Sequence, residues 1–152
     1  MSLHQTKRLL LLPLTLAIVL ACPGRASAAE VAKNGDLEMH SVAVPSTELT
    51  SDAAKDYNIT PGAGRGLLTV TLIRKGRNGK AESVPGQVYA GAVTQDNKLF
   101  TIPIREVRQA DGVYYLGEYR VTVPDKLRFL VNANVLGKPL KAEFTRAFAT
   151  TQ

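Results

Sequence analysis

Cysteine is almost absent from this chain: the single one, Cys22, stands at the end of an apolar N-terminal run. There is no tryptophan, and histidine occurs only as His4 and His40. Once the N-terminal run is set aside, disulfides, thiol catalysis and thiolate metal sites are excluded together. A first-row metal site usually draws on several His or Cys ligands, which His40 alone cannot supply. Clustered acids are missing too. Asp96-Asn97 and Asp111-Gly112 are isolated pairs and read as turn chemistry, not as Ca²⁺ ligands. No Gly-x-Ser-x-Gly elbow marks a nucleophile. No cofactor is implied.

What is present begins with an address. Lys7 and Arg8 precede the apolar run Leu9–Ala21, and Ala26-Ser27-Ala28-Ala29 supplies small residues after it. This is the layout of a secretory signal peptide. The run is shorter than the roughly 20 apolar residues that a membrane-spanning helix needs. The expectation is a signal over residues 1–29, cleaved after Ala28 or Ala29, and a mature domain over residues 30–152. Export to a bacterial periplasm follows, with no transmembrane helix after processing. An alternative is lipidation of Cys22, because Val19-Leu20-Ala21-Cys22 loosely resembles a lipobox. That would give an outer-membrane-associated lipoprotein. Pro23 and the conventional site downstream favour simple cleavage.

The net charge of +6 belongs partly to this leader. Removing Lys7, Arg8 and Arg25 leaves 16 basic against 13 acidic residues, or +3. Such a charge keeps a small domain soluble and does not argue for nucleic acid.

From Asp36 onward, short alternating segments are separated by turn residues. Seven strands are expected: Asp36–Val44, Leu67–Arg74, Val84–Val93, Lys98–Arg108, Val113–Val123, Leu127–Val135 and Leu140–Ala149. A parity change within the first predicts a bulge near His40 and Ser41. Thr50–Tyr57 reads as a short helix, capped by the Thr50 hydroxyl and closed by Asn58. Pro85, Gly86 and Gly91 suggest that the third strand is bent or at an edge. Period-two alternation buries one face and wets the other, the antiparallel habit. The expected fold class is all-β: a single antiparallel two-sheet sandwich, immunoglobulin-like, with one short helix between strands 1 and 2.

Several residues could carry chemistry. His40 is the only imidazole in the mature chain and reads either as a strand histidine beside a bulge or as a ligand contact. Glu106 and Glu118 lie on strands joined by one hairpin and could work as an acid–base pair. Arg105 and Arg120 flank them, so cross-strand ion pairing is the plainer reading. Gly62-Ala63-Gly64-Arg65-Gly66 looks like a phosphate cradle, but a strand follows it where a nucleotide loop opens a helix. A flexible connector is the default, with Arg65 able to clamp a carboxylate. Arg74-Lys75-Gly76-Arg77-Asn78-Gly79-Lys80 forms a basic hairpin tip that could meet anionic lipid or an acidic partner. Tyr114 faces opposite to Tyr115 and Tyr119, so one set belongs to the core and the other is available for contact. Candidate ligand or partner contacts are therefore His40, Arg65, Arg105, Tyr115 and Tyr119.

The segments Gly35-Asp36 with His40, Leu49-Thr50, Ala54-x-x-Tyr57-Asn58-Ile59, Arg65-Gly66-Leu67-Leu68, Ile104-Arg105-Glu106-Val107, Gly112-Val113-Tyr114-Tyr115 and Leu127-Arg128-Phe129, ending on Phe144 and Phe148, resemble a known pattern in order and spacing. The chain is similar over about Asn34–Phe148 to the domain-of-unknown-function 4426 family of exported proteobacterial proteins. It departs from that family at Val44-Pro45, where Phe-Asn is usual. The resemblance implies a small exported β-sandwich and supplies no activity.

With no catalytic set marked, the expected function is a non-enzymatic binding or protein-interaction module of the cell envelope. Its partner would be another envelope protein or a small anionic ligand. The alternatives are a periplasmic enzyme, or an inhibitor of one, using Glu106, Glu118 or His40, and a lipid-anchored structural protein. Peripheral membrane association through the basic hairpin belongs to the last.

Overall fold

A computed structural model of the chain describes residues 28–149; residues 1–27 of the expected signal, Cys22 among them, lie outside that range. Alternating apolar side chains lay down ten strands. They are β1 (Ala28–Asn34), β2 (Leu37–Pro45), β3 (Arg65–Lys75), β4 (Ala81–Ser83), β5 (Gln87–Val93), β6 (Leu99–Ile102), β7 (Ile104–Gln109), β8 (Gly112–Arg120), β9 (Asp125–Val135) and β10 (Lys138–Phe148). A 3₁₀ turn, Ser46–Glu48, and a helix α1, Ser51–Asp56, link β2 to β3. The Thr50 hydroxyl accepts from Ala53 N–H at 3.2 Å, and Asn58 takes φ 52°, as the sequence predicts.

Two antiparallel sheets face each other. One runs β1-β2-β3-β8-β7, with β4 on the end of β3; the other runs β10-β9-β5-β6. The order β2-β3-β8-β7 against β10-β9-β5 is the ABED-against-GFC arrangement of immunoglobulin domains. The sandwich class therefore stands, without that fold's disulfide and tryptophan.

The count is ten strands where seven were expected, and each difference has a cause. Pro103 carries no N–H and ends β6 after Ile102, so the expected strand Lys98–Arg108 divides between the sheets. β1 overlaps the small residues that read as a cleavage site, which hid its pairing with β2. β4 has only three residues. Cleavage after Ala28 or Ala29 would spare the pairing of Glu30–Asn34 with β2.

The expected bulge in β2 is absent. Leu37 through Pro45 pair with Arg74 through Gly66 without a break. Leu37, Met39 and Ala43 enter the main core, while Val44 points out of the other face. There it packs with Leu49, Tyr57, Ile59, Leu67 and Leu116 beneath the 3₁₀–α1 segment. Both faces of this end of the sheet are covered, so apolar residues appear on both parities.

β5 is not an edge strand. β9 pairs it throughout and β6 pairs Ala90–Val93, which leaves β6 as the sheet edge. β9 and β10 alternate as read, with Leu127, Phe129, Val131, Ala133 and Val135 buried from one and Leu140, Ala142, Phe144 and Phe148 from the other. Arg146 lies on that same inward row and is only 5% exposed. Its guanidinium donates to both oxygens of Glu48 at 3.0 and 3.2 Å and lies over the Phe148 ring. The 3₁₀ turn is thereby tied to β10.

Candidate functional site

The two lateral edges of the sandwich differ. On one side β1 lies against β10, Asn34 Nδ2 donates to the Pro139 carbonyl at 2.8 Å, and Lys138 pairs Asp36 at 2.9 Å. On the other, β7 stops pairing with β8 at Gly117, and β6 spans only four residues. A hollow of about 580 Å³ opens there, lined by Arg65, Phe100, Thr101, Glu118, Tyr119 and Arg120.

Register builds this cleft. Arg65 stands directly across from Arg120, and the next outward pair along β3 and β8 is Leu67–Glu118. Like charges placed opposite each other repel. Among the described residues, no acid forms an ion pair with either arginine, and Glu118 forms none with any base. Tyr119 faces inward, 5% exposed, edge-on to Phe129 and Phe148. Burial pushes its hydroxyl well above the ordinary tyrosine range. Half-buried Phe100 adds an aromatic side chain to the lining of the hollow.

The Gly-rich loop that delivers Arg65 is pinned, contrary to the expected flexible connector. Buried Ser46 donates to the Gly62 carbonyl at 3.1 Å and accepts from Gly62 N–H at 3.0 Å. Gly64, at φ 68°, accepts from Val121 N–H at 2.9 Å. A side chain at Gly64 would be strained and would press on the Val121 carbonyl at 3.0 Å.

Of the five candidate contacts, Arg65 and Tyr119 meet in the cleft and the other three lie elsewhere. Tyr115, 3% exposed, is a structural bolt: its hydroxyl accepts from Gly86 N–H at 2.8 Å and donates toward the Gly86 carbonyl at 2.9 Å. Arg105 donates to the Tyr57 carbonyl and holds the end of α1 against β7. Tyr114, on the outer face, donates to Asp111 at 2.6 Å, and that bond pushes its hydroxyl up to about 12.

His40 pairs across to Thr71, six residues along β3 from Arg65, which is roughly 20 Å. Its Nε2 lies 3.1 Å from Glu38. Glu38 also takes Lys75 at 2.7 Å and Lys33 at 3.1 Å and is 7% exposed. Lys75, then Lys33, then His40 hold its carboxyl down to about 2. A carboxyl depressed by folding stabilises above its ordinary value of 4.5, and that contribution fades as pH falls toward 2. Between those limits the wild-type urea midpoint should fall more steeply than that of Glu38→Gln. A constant gap between the two from pH 6 to pH 2 would disprove the network.

Glu106 and Glu118 do not form a pair. Glu106 binds Arg108 at 2.7 Å and lies 3.3 Å from the Tyr115 hydroxyl, on the inward parity, whereas Glu118 points outward. The expected ion pairing with Arg105 and Arg120 is likewise not formed; the partners are Arg108 for Glu106 and the Tyr57 carbonyl for Arg105. In the basic hairpin, Arg74 pairs Asp36 and Glu82, and Lys75 pairs Glu38. Half of its charge is thus neutralised locally. Phe100, Thr101 and the site role of Arg120 had no signal in the sequence, because only the strand register gathers them.

Solved structures similar to this chain include the following two proteins. A crystal structure of a DUF4426 family protein from Pseudomonas aeruginosa PAO1 matches at 20% identity and a TM-score of 0.66, covering 82% of this chain and 97% of that one. FetP of uropathogenic E. coli strain F11, recombinantly expressed in the periplasm, matches at 13% identity and a TM-score of 0.51, covering 83% and 97%. At these identities the likeness is one of fold. No curated protein matches. A family model, "Domain of unknown function (DUF4426)", covers residues 31–150, and the chain belongs to that family.

Proposed function

We propose that this protein is an exported, non-enzymatic binding module of the bacterial cell envelope, with its ligand site in the Arg65–Arg120 cleft. A signal over residues 1–29 directs the sandwich of residues 30–152 to the periplasm. The layout of the leader supports export, and the FetP fold is one that has been handled in a periplasm. The observation that carries the binding reading is that Arg65 and Arg120, directly across from each other in the register, both line an open hollow, with no acid paired to them among the described residues. Guanidinium groups in such a position suit a carboxylate or phosphate, which can be held by paired N–H donors. The ligand class is a small anion. The separation of Glu106, Glu118 and His40 supports binding over acid–base catalysis.

The test uses protein secreted from the full-length precursor. Intact mass should begin at Ala29 or Glu30; a retained or acylated Cys22 would redirect the reading to a lipoprotein. Titration of ¹⁵N-labelled protein with succinate should shift the amides of Arg65, Tyr119 and Arg120. Arg65→Ala/Arg120→Ala should weaken that binding at least tenfold, since a charged hydrogen bond contributes about 1.5–3 kcal/mol. Equal affinity in the double variant, or no shift with succinate or any other carboxylate, removes the site.

A further inference from the structure

We infer that the ligand of this cleft is a small zwitterion, its carboxylate held by Arg65 and Arg120 and its cationic amine by Glu118. The inference rests on the binding reading above and narrows its ligand. Three charged side chains line one hollow, two positive and one negative, and none is in an ion pair among the described residues. Glu118 and Arg120 are two residues apart on one strand face, so their Cα atoms are about 7 Å apart. Side chains of this length can converge on charges a few bonds apart in one molecule.

The alternatives leave a charge unanswered. A simple anion satisfies the arginines but sits beside the Glu118 carboxylate. A simple cation satisfies Glu118 but faces two guanidinium groups. A molecule carrying both charges answers all three, and like-charge juxtaposition discriminates against the others. Half-buried Phe100, which lines the same hollow, offers apolar surface to the ligand body. A hollow of about 580 Å³ is of the size that holds small ligands. The class this describes is a free α-amino acid or a molecule with the same pair of groups.

Three probes separate the charges: L-phenylalanine, 3-phenylpropionate, which lacks the amine, and 2-phenylethylamine, which lacks the carboxylate. Each is titrated into ¹⁵N-labelled secreted protein at pH 7. L-Phenylalanine should shift Arg65, Phe100, Glu118, Tyr119 and Arg120 and bind at least fivefold tighter than either analogue. Glu118→Gln should bring it down to the affinity of 3-phenylpropionate without weakening the latter, and Glu118→Asp should restore part of the difference. The urea midpoint of each variant verifies that it folds. If 3-phenylpropionate binds as well as L-phenylalanine, if Glu118→Gln leaves L-phenylalanine unaffected, or if succinate binds and L-phenylalanine does not, the zwitterion inference is overturned while the anion site stands. If neither succinate nor any of the three binds, both readings fall.

Discussion

Gly66→Ala should lower the unfolding free energy by about 3 kcal/mol, at the upper end for overpacking a core. A Cβ at this position would lie 2.2 Å from Tyr119 Cζ and 2.4 Å from its Cε2 and hydroxyl. The ring has little freedom to withdraw. It stands edge-on to Phe129 at 5.1 Å and to Phe148 at 6.0 Å, and its hydroxyl reaches toward the Val44 carbonyl at 3.5 Å. The glycine is therefore required by the close approach of a side chain, not by an unusual backbone angle. A double-mutant cycle identifies the cause. Tyr119→Leu removes the atoms that clash, so it should cost less in the Gly66→Ala background than in the wild type. Urea unfolding of the four proteins measures this. Strictly additive effects, or a Gly66→Ala midpoint equal to wild type, would show that the ring does not occupy that space.

Phe129→Ala should cost about 4 kcal/mol, the usual range for deleting a buried phenyl ring. Phe129 is among the largest fully buried side chains. It stacks on Phe144 at 5.2 Å and receives the edge of Tyr119, so its loss removes two aromatic contacts and opens a void between the sheets. Packed sheets do not collapse readily into such a void, because the backbone ladders stiffen each sheet and the surrounding interdigitated side chains hold the sheets apart. The control is Tyr89→Ala on β5, whose ring is exposed on the outer face of the same sheet. It should change stability by no more than about 0.5 kcal/mol. Similar losses at the two positions would contradict the facing of the sheets.

Where a strand buries one face only, its pattern was readable. Leu127 to Val135 alternates without a break, Leu140 to Phe148 does so except at Arg146, and both bury the expected parity. Where both faces are covered, the pattern misled. In β2, Val44 points to the second cluster beneath α1, and the mixed parity mimicked a bulge. Tyr115 and Tyr119 could not be assigned between core and surface until the opposite sheet was in place. Arg146 broke the apolar row of β10 in the sequence, but its burial depends on Glu48, 98 residues away.

The antiparallel sandwich class, the capped helix between its first strands and the family were legible in the sequence. These follow from local signals: apolar period, turn residues and caps. Tertiary structure alone decided the candidate site. Alternation tells which residues of one strand share a face, but not which strand lies beside it or in what register. The pairing of β3 with β8 sets Arg65 against Arg120, and the early end of β7 leaves that pair at an open edge. Both are long-range consequences of how two sheets close over one core.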